Sequence, residues 1–243
     1  MRSGMPQNKP VILATREIDQ NLINLALSNG IVLEFSPFIK TEIIKNSEVQ
    51  QEIEQALLLS ITVVFTSVNA VEAVADELQD QHPDWRIYCI GHATKEAVEK
   101  YFHNDLLAGI ADSAAELADL IMEESVEDEV FFFCGDHHRP ELPVMLRKNG
   151  FEVTEIIVYQ TVLLPHKIER NYDGILFFSP SAVNSFFEKN EIAAQTILFA
   201  IGNTTAEELK KFSKNKIITS DEPIKRSLVE KAILFYQQNP VSH

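Results

Sequence analysis

The chain has 243 residues, of which 45% are hydrophobic and 23% charged, and its formal net charge is −15. These values are ordinary for a globular protein, and the length allows one large domain or two of about 100–120 residues each. The negative charge argues against nucleic acid as the main partner, because phosphate binding needs a basic surface.

Membrane and secretory segments are not expected either. No apolar run approaches the ~18–20 residues that a membrane span needs, and residues 1–5 have no apolar core that would suggest a signal peptide. The two cysteines, Cys89 and Cys134, lie inside apolar runs. That position favours buried free thiols in a reducing compartment, so we predict a cytoplasmic protein without a membrane partner.

Apolar β-branched runs alternate with amphipathic stretches along the chain, as expected of alternating strands and helices. Pro37 places the second apolar run at a sheet edge or in a linker, because proline cannot donate to a central strand. The predicted strands are 11–15, 31–39, 61–65, 86–90, 130–134, 152–164, 174–178 and 197–201.

Capping signals mark the predicted helices. In a capping box, the N-cap residue is followed three positions later by Glu or Gln. This spacing occurs at Ser47, Asn69, Ser113 and Thr204. Gly30 fits the left-handed position just after a helix. An amphipathic stretch after Arg16 is the first predicted helix and ends before Gly30. The other predicted helices are 47–57, 69–78, 94–102, 113–121 and 224–238, with three more beginning near 142, 180 and 204.

One strand–hydroxyl–helix unit occurs twice. VVFTSVNAV at 63–71 is echoed by ILFFSPSAV at 175–183, and IGHAT at 90–94 by IGNTT at 201–205, at an offset of about 112 residues. Strands and helices that alternate at this spacing predict parallel sheets covered by helices on both faces. We therefore predict two related α/β domains.

The domain boundaries follow from a third repeated segment. NGIVL at 29–33 resembles NGFEV at 149–153. NGIVL precedes the strand–hydroxyl–helix unit at 63–71, whereas NGFEV follows that unit. The simplest arrangement is therefore discontinuous. One domain comprises 1–38 plus 167–243, the other comprises 41–154, and connectors at about 32–40 and 155–164 cross between them and pair.

Hydroxyl residues stand where the predicted strands meet helices. For any single one of them, a helix cap and a ligand contact are equally good explanations. Four such junctions in duplicated positions favour an anion site, since helix N-termini offer free N–H groups at the carboxyl ends of parallel strands. The residues concerned are Thr66, Ser67, Thr94, Ser179, Ser181, Thr204 and Thr205.

Other patterns suggest less. CGDHH at 134–138 looks like a metal cluster, but its spacing matches no strong zinc pattern, so no metal is expected. The acidic runs at 123–124 and 127–129 are typical of solvated loops. No GxGxxG, P-loop or GxSxG motif occurs. Tyr159 lies in an apolar connector, where it either packs at an interface or faces a cleft.

As an ordered set, these residues resemble the uroporphyrinogen-III synthase family. The resemblance covers nearly the whole chain and is weakest around 41–60 and 104–128. The shared pattern is FTSxxAV at 65–71, IGxxT at 90–94, Gly135, Arg139, Leu142, Leu146, Gly150, Val153, VYxT at 158–161, FSPSAV at 178–183 and IGxTTA at 201–206.

The resemblance implies two flavodoxin-like parallel-sheet domains, joined by a two-stranded β connector, with the active site in the cleft between them. It implies a hydro-lyase that cyclises the linear tetrapyrrole hydroxymethylbilane to uroporphyrinogen III, with loss of water and inversion of ring D, in haem and related tetrapyrrole biosynthesis. It implies that no cofactor is needed. We expect a monomer whose partner is this small molecule, and a transient contact with the preceding enzyme of the pathway stays open.

By position, the resemblance makes Tyr159 the tyrosine that helps the hydroxyl group leave. Two departures stand out: Val68-Asn69 replaces the Pro-Arg of many relatives, and DHHR at 136–139 replaces a glycine-rich turn, which leaves the geometry of the Gly135 loop open. The substrate-binding residues that we expect are Arg16, Thr66, Ser67, Asn69, Thr94, Ser179, Ser181, Thr204 and Thr205.

The substrate carries eight carboxylates, which is awkward for a protein of charge −15. Backbone N–H groups at helix N-termini can bind such groups without lysine or arginine, and we expect them to do so here. The alternative is a non-catalytic, two-domain, cytosolic ligand-binding or regulatory protein. The isomer formed with and without the protein distinguishes the two.

Overall fold

The computed structural model describes residues 9–78, 81–102, 104–125 and 128–240. The predictions made for residues 1–5 and for Glu127 lie outside the described residues. The chain divides into two compact units, which are unit 1 (Met1–Lys40 with Val162–His243) and unit 2 (Thr41–Thr161).

Unit 1 contains a parallel sheet whose strand order is that of flavodoxin-like sheets, 2-1-3-4-5. From one edge to the other its strands are β2 (Val32–Phe35), β1 (Val11–Ala14), β9 (Gly174–Phe177), β10 (Ile197–Ala200) and β11 (Ile217–Thr219). Its helices are α1 (Gln20–Ser28), α7 (Pro180–Phe187), α8 (Asn203–Phe212) and α9 (Lys225–Gln238).

Both faces of this sheet are buried. Ile12 and Leu176 pack with the apolar side chains of α1 and α9, whereas their neighbours Leu13 and Phe177 pack with those of α7 and α8. Because successive strand residues point to opposite faces, a sheet between two helix layers needs apolar residues at every position. This is why the strands appear in the sequence as unbroken apolar runs.

Unit 2 contains a second sheet with helices on both faces. From one edge to the other its strands are β3 (Ile39–Ile43), β8 (Glu152–Leu163), β7 (Glu129–Gly135), β4 (Ile61–Phe65), β5 (Trp85–Ile90) and β6 (Leu107–Ala111). The last five are mutually parallel. The helices are α2 (Ser47–Leu57), α3 (Val68–Leu78), α4 (His92–Tyr101), α5 (Ala114–Glu124) and α6 (Glu141–Lys148), with a 3-10 turn at Asn104–Leu106.

The core of unit 2 is divided by the sheet in the same way. Phe65 and Phe133 lie on the face covered by α2, α3 and α4. Val64 and Phe132, one residue earlier in each strand, lie on the face covered by α5 and α6. The mixed α/β class with parallel sheets is thus as predicted.

Several predicted details are corrected. The predicted strand 31–39 is two strands separated at Ser36–Phe38, and β2 pairs with β1 instead of serving as a connector. Pro37 falls in that break. The edge strands β6 and β11 were not predicted: β6 contains Ala and Gly, which are poor strand formers, and β11 has only three residues.

Some helix ends were predicted correctly from local sequence signals, and one cap was not. Gly30 and Gly150, which follow α1 and α6, both have positive φ (79° and 93°), as predicted for Gly30. Ser113 caps α5 by accepting from the Glu116 N–H at 3.2 Å, also as predicted. The cap of α2 is Asn46 rather than Ser47, because its Oδ1 accepts from the Val49 N–H at 2.8 Å. No helix of the described residues is long and apolar enough to cross a membrane.

Candidate active site

The carboxyl edge of the unit 2 sheet carries an open pocket of about 640 Å³. Bound ligands of parallel α/β sheets lie at this edge, next to the point where the chain order of the strands reverses. In unit 2 that reversal falls between β4 and β7. The lining comes from strands β4 to β7 at or near their carboxyl ends, the first residues of α5 and α6, and Tyr159 on β8.

Thr66 and Ser67 line the pocket where β4 leads into α3. Ser67 Oγ accepts from the Ala70 N–H at 3.2 Å, so this serine caps α3 and the predicted cap at Asn69 is wrong. Asn69 is the second residue of α3, is exposed, and does not belong to the pocket lining. One short polar side chain therefore both caps α3 and borders the pocket.

The junction of β5 and α4 presents backbone rather than side chains. Gly91 precedes α4 with a φ of +82°, and no side chain caps this helix. The first-turn N–H groups consequently have no side-chain acceptor, which suits an anion. Thr94 was predicted to border the ligand, but it lies inside α4, only 5% exposed, and is not part of the lining.

Tyr159 is positioned by its contact with Gly135. A Cβ atom at Gly135 would lie 2.4 Å from both Cε2 and Cζ of Tyr159, so the ring rests on the glycine backbone. The pairing of β7 with β8 shifts register here, from Cys134 opposite Ile157 to Gly135 opposite Tyr159. Such bulges redirect side chains next to functional sites.

The turn after β7 is tied to β8 at Tyr159 and at Thr161. The Asp136 N–H donates to the Tyr159 carbonyl at 3.1 Å, and the Thr161 N–H donates to the Asp136 carboxylate at 3.1 and 3.2 Å. Tyr159 lines the pocket, is half-buried, and its hydroxyl bonds to no described residue. That phenol is free to meet a ligand.

The same turn adds polar groups that the sequence analysis missed. His137, His138 and Arg139 all line the pocket, together with the acidic residues Asp112 and Glu141. The only sequence signal for the basic group was the position of Arg139 within the resemblance. His137 and Arg139 are exposed, and Arg139 places a positive charge on one wall of the pocket in a strongly acidic chain.

The remaining predicted residues belong to unit 1, at the carboxyl edge of its own sheet. The Arg16 guanidinium carbon lies 5.7 Å from the ring centroid of Phe178, and Ser179 Oγ caps α7 by accepting from the Ala182 N–H at 3.1 Å. Thr204 is exposed, and Thr205 is only 1% exposed. The predicted cap at Thr204 is wrong, because α8 begins after Gly202 without a side-chain cap.

Three comparisons with known proteins agree. The family model of uroporphyrinogen-III synthase HemD matches residues 20–230. The chain belongs to the uroporphyrinogen-III synthase family. The uroporphyrinogen-III synthase of Schizosaccharomyces pombe is 22% identical over 227 residues, which cover 84% of this chain and 88% of that protein.

Solved structures of the family support the fold. Uroporphyrinogen-III synthetase from Helicobacter pylori has a TM-score of 0.63 at 13% identity, over 93% of this chain and 99% of that one. A mutant uroporphyrinogen III synthase from Thermus thermophilus has a TM-score of 0.59 at 15% identity, over 94% and 99% respectively. The predicted function, a uroporphyrinogen-III synthase and hence a lyase of porphyrin biosynthesis, is confirmed, and the non-catalytic alternative is not favoured.

In this uroporphyrinogen-III synthase, neither cysteine is a reactive thiol. Cys89 and Cys134 are free and buried, as predicted. Burial raises the pKa of Cys89 to about 11 and that of Cys134 to about 12, from an ordinary value of 9.0. Both are therefore protonated near neutral pH, which excludes them as activated nucleophiles.

Proposed function

We propose that the unit 2 pocket holds the reacting end of hydroxymethylbilane and that Tyr159 assists loss of its hydroxyl group. The observation that carries this proposal is the placement of Tyr159. Its ring rests on Gly135, it lines the pocket, and its hydroxyl bonds to no described residue. A phenol in that position can donate a hydrogen bond to a departing oxygen.

The chemistry asks little of the protein beyond this. The carbon–oxygen bond of the hydroxymethyl group breaks, and the oxygen leaves as water with a proton supplied at Tyr159. A carbon–carbon bond then forms at the substituted carbon of ring D, the bond from that carbon to its neighbouring bridge carbon breaks, and the bridge carbon re-bonds to the unsubstituted carbon of ring D, which inverts the ring. The proton that this last carbon loses returns to Tyr159 and restores the balance. Because the substrate is intrinsically reactive, the main contribution of the site is to hold the two ends in the right orientation.

In this proposal, backbone N–H groups and a few basic side chains bind the substrate carboxylates. The start of α4 has no side-chain cap, so its first N–H groups can bind an acidic side chain of the substrate. Arg139 lines the same pocket and adds positive charge, and the His137 ring there offers a hydrogen-bonding nitrogen. The acidic Asp112 and Glu141 lie there too, and they repel carboxylates from their own side of the pocket.

Unit 1 offers further substrate-binding residues in this proposal. Arg16, Ser179, Ser181 and Thr204 lie at or after the carboxyl ends of strands in its sheet, where parallel sheets bind ligands. The Arg16 guanidinium is exposed beside Phe178 and is available to a carboxylate. In this proposal the chain is a two-domain monomer with a substrate cleft, a paired β3–β8 connector and no cofactor.

The test is the isomer made by wild type and by Tyr159→Phe. Hydroxymethylbilane cyclises spontaneously to the I isomer, so formation of the III isomer reports the enzyme. We expect Tyr159→Phe to lower the rate of III formation about 100-fold, at the low end for a proton donor because the leaving group is labile. The melting temperature should stay near that of wild type, since the lost hydroxyl has no partner among the described residues.

A matched control is Tyr101→Phe in the same unit. Tyr101 is an exposed tyrosine in the last turn of α4, and it does not line the pocket. Its removal should leave the rate unchanged. If Tyr159→Phe retains the wild-type rate, Tyr159 is a packing residue and the proposed role fails. If wild type itself gives only the I isomer, the whole assignment of this site fails.

A further inference from the structure

Three side chains that ligate metals converge beside the pocket wall. Cys134 is on β7, His138 is in the turn after it, and Glu155 is on the neighbouring strand β8. One ligand atom of each, the thiol sulfur, a ring nitrogen and a carboxylate oxygen, lies within 4.8 Å of the others. We propose that these three residues bind a thiophilic divalent cation, with Zn²⁺ as the best fit.

The donor set suits that class of ion. Sulfur, imidazole nitrogen and carboxylate oxygen are the protein ligands of zinc, and three of them leave a fourth tetrahedral position for water. Donor atoms around a tetrahedral zinc are roughly 3.3–3.7 Å apart, given metal–ligand bonds of about 2.0–2.3 Å. The His138–Glu155 pair, whose Nε2 and Oε2 atoms are 2.6 Å apart, therefore has to open by about 0.7 Å, and the separations to the sulfur have to close by at most about 1.3 Å.

His138 is already oriented as a ligand. Its Nδ1 lies 3.0 Å from the Gly135 carbonyl oxygen, which can only accept, so Nδ1 carries the proton. Nε2 then points at the cluster, 2.6 Å from Glu155 Oε2. Metal-binding histidines characteristically donate their other ring N–H to a backbone carbonyl or a carboxylate in this way.

Glu155 is held so that one oxygen remains for the ion. Arg147 Nη1 lies 2.6 Å from Glu155 Oε1, and Arg147 Nη2 donates to the Val153 carbonyl at 2.7 Å. Oε2 is left facing His138. Hydrogen-bonded carboxylate ligands of this kind are the usual partners of a bound metal.

The charges balance when the ion binds. A thiolate from Cys134 and the carboxylate of Glu155 neutralise a divalent cation, while His138 remains neutral. Metal–sulfur, metal–nitrogen and metal–oxygen bonds form. The proton of the thiol and any proton between His138 and Glu155 pass to water, and nothing is oxidised or reduced.

The Cys134 thiol has only a weak hydrogen bond without an ion, and a bound cation would provide it with a strong interaction. Its Sγ is buried and makes one long contact, 3.7 Å, to the Ile156 carbonyl oxygen. Burial first, and then the nearby Glu155 charge, raise the pKa of Cys134 to about 12, so the free thiol stays protonated. A coordinated cation deprotonates a thiol outright. Spacing along the sequence hid this set, because the third ligand comes from the adjacent strand.

The experiment titrates the metal-free full chain with Cd²⁺ and with Co²⁺ and follows the near-ultraviolet thiolate-to-metal charge-transfer band. We expect a band that saturates at one ion per chain, and a higher melting temperature with Zn²⁺. Cys134→Ser, which keeps the volume of the side chain, should abolish the band. His138→Ala and Glu155→Gln should weaken binding at least tenfold.

The chain provides two matched controls. Cys89 is the other buried free cysteine and His137 is the adjacent histidine, so Cys89→Ser and His137→Ala should bind as wild type does. The proposal is overturned if wild type gives no band, if Cys134→Ser retains it, or if His138→Ala and His137→Ala behave alike. Circular dichroism on each variant confirms folding. No step uses catalytic activity, so the outcome is independent of the role of Tyr159.

Discussion

Gly135→Ala should impair catalysis by displacing Tyr159 while leaving the fold intact. The added Cβ would lie 2.4 Å from two ring carbons of Tyr159 and 2.8 Å from its hydroxyl oxygen. Ordinary contacts begin near 3.4 Å, so the ring has to retreat by about 1 Å. The φ of Gly135 is not in the left-handed region, so alanine adds no backbone strain.

The expected magnitudes follow from that displacement. A misplacement of about 1 Å in a catalytic constellation can cost about 100-fold in rate, so we expect kcat for the III isomer to fall by about 10–100-fold. Overpacking at a buried site typically costs about 1–3 kcal/mol of unfolding free energy. The assay combines the initial rate of III formation at saturating hydroxymethylbilane with thermal and denaturant unfolding of the same samples.

Gly109→Ala is the control for overpacking alone. Gly109 lies on β6 of the same unit, and a Cβ there would be 2.5 Å from Leu120 Cδ2 and 2.8 Å from Tyr88 Cδ1. It should destabilise the protein to a similar extent with kcat nearly unchanged. In a Tyr159→Phe background, Gly135→Ala should add little further loss of rate, since the group it displaces is already gone.

Three results would refute this reasoning. One is a wild-type kcat in Gly135→Ala. Another is an equal loss of kcat in Gly109→Ala, which would assign the effect to stability. The third is a full additional loss in the double variant, which would mean that Gly135 acts on catalysis without Tyr159.

Two further predictions concern stability and thiol chemistry. Ser67→Ala removes the cap of α3 and should lower the free energy of unfolding by about 1 kcal/mol. Asn69→Ala, at the position wrongly expected to be the cap, should lower it by only a few tenths of a kcal/mol. Equal losses in the two variants would contradict the assignment of the cap. Cys89 and Cys134 should resist iodoacetamide at pH 8 in the folded, metal-free protein, because their raised pKa values keep them as thiols. Since these groups ionise near pH 9 when unfolded and near pH 11–12 when folded, stability should fall as pH rises above about 9. Labelling of both at the rate of a free thiol, or a flat stability profile from pH 8 to 10, would show that they are accessible in the native state.

The architecture was largely readable from local pattern. Alternating apolar runs predicted the parallel sheets because a strand buried on both faces has no polar side. The repeated junctions at 63–71 and 175–183 predicted that hydroxyl residues would sit at strand ends, and Ser67 and Ser179 do so. What pattern could not supply was β6 and β11, whose stability comes from pairing with a neighbour at a sheet edge.

The choice between similar neighbouring residues was also beyond the sequence. Asn46 and Ser47, or Ser67 and Asn69, are equally good caps by residue type, and the backbone angle at which the chain enters the helix decides which side chain reaches the free N–H. In the same way Thr94 and Thr205 look like ligand contacts by position, yet the helices that carry them turn both toward the core.

The sequence by itself therefore determined the fold class, the repeated unit and the family, and it singled out Tyr159 as a candidate, because each depends on residues close together or on an ordered series along the chain. Only the tertiary structure decided what Tyr159 touches. The register shift between β7 and β8 sets its ring on Gly135, and the same strand pairing brings Glu155 to Cys134 and His138. Contacts between strands depend on register, and a shift of one residue turns every side chain to the opposite face.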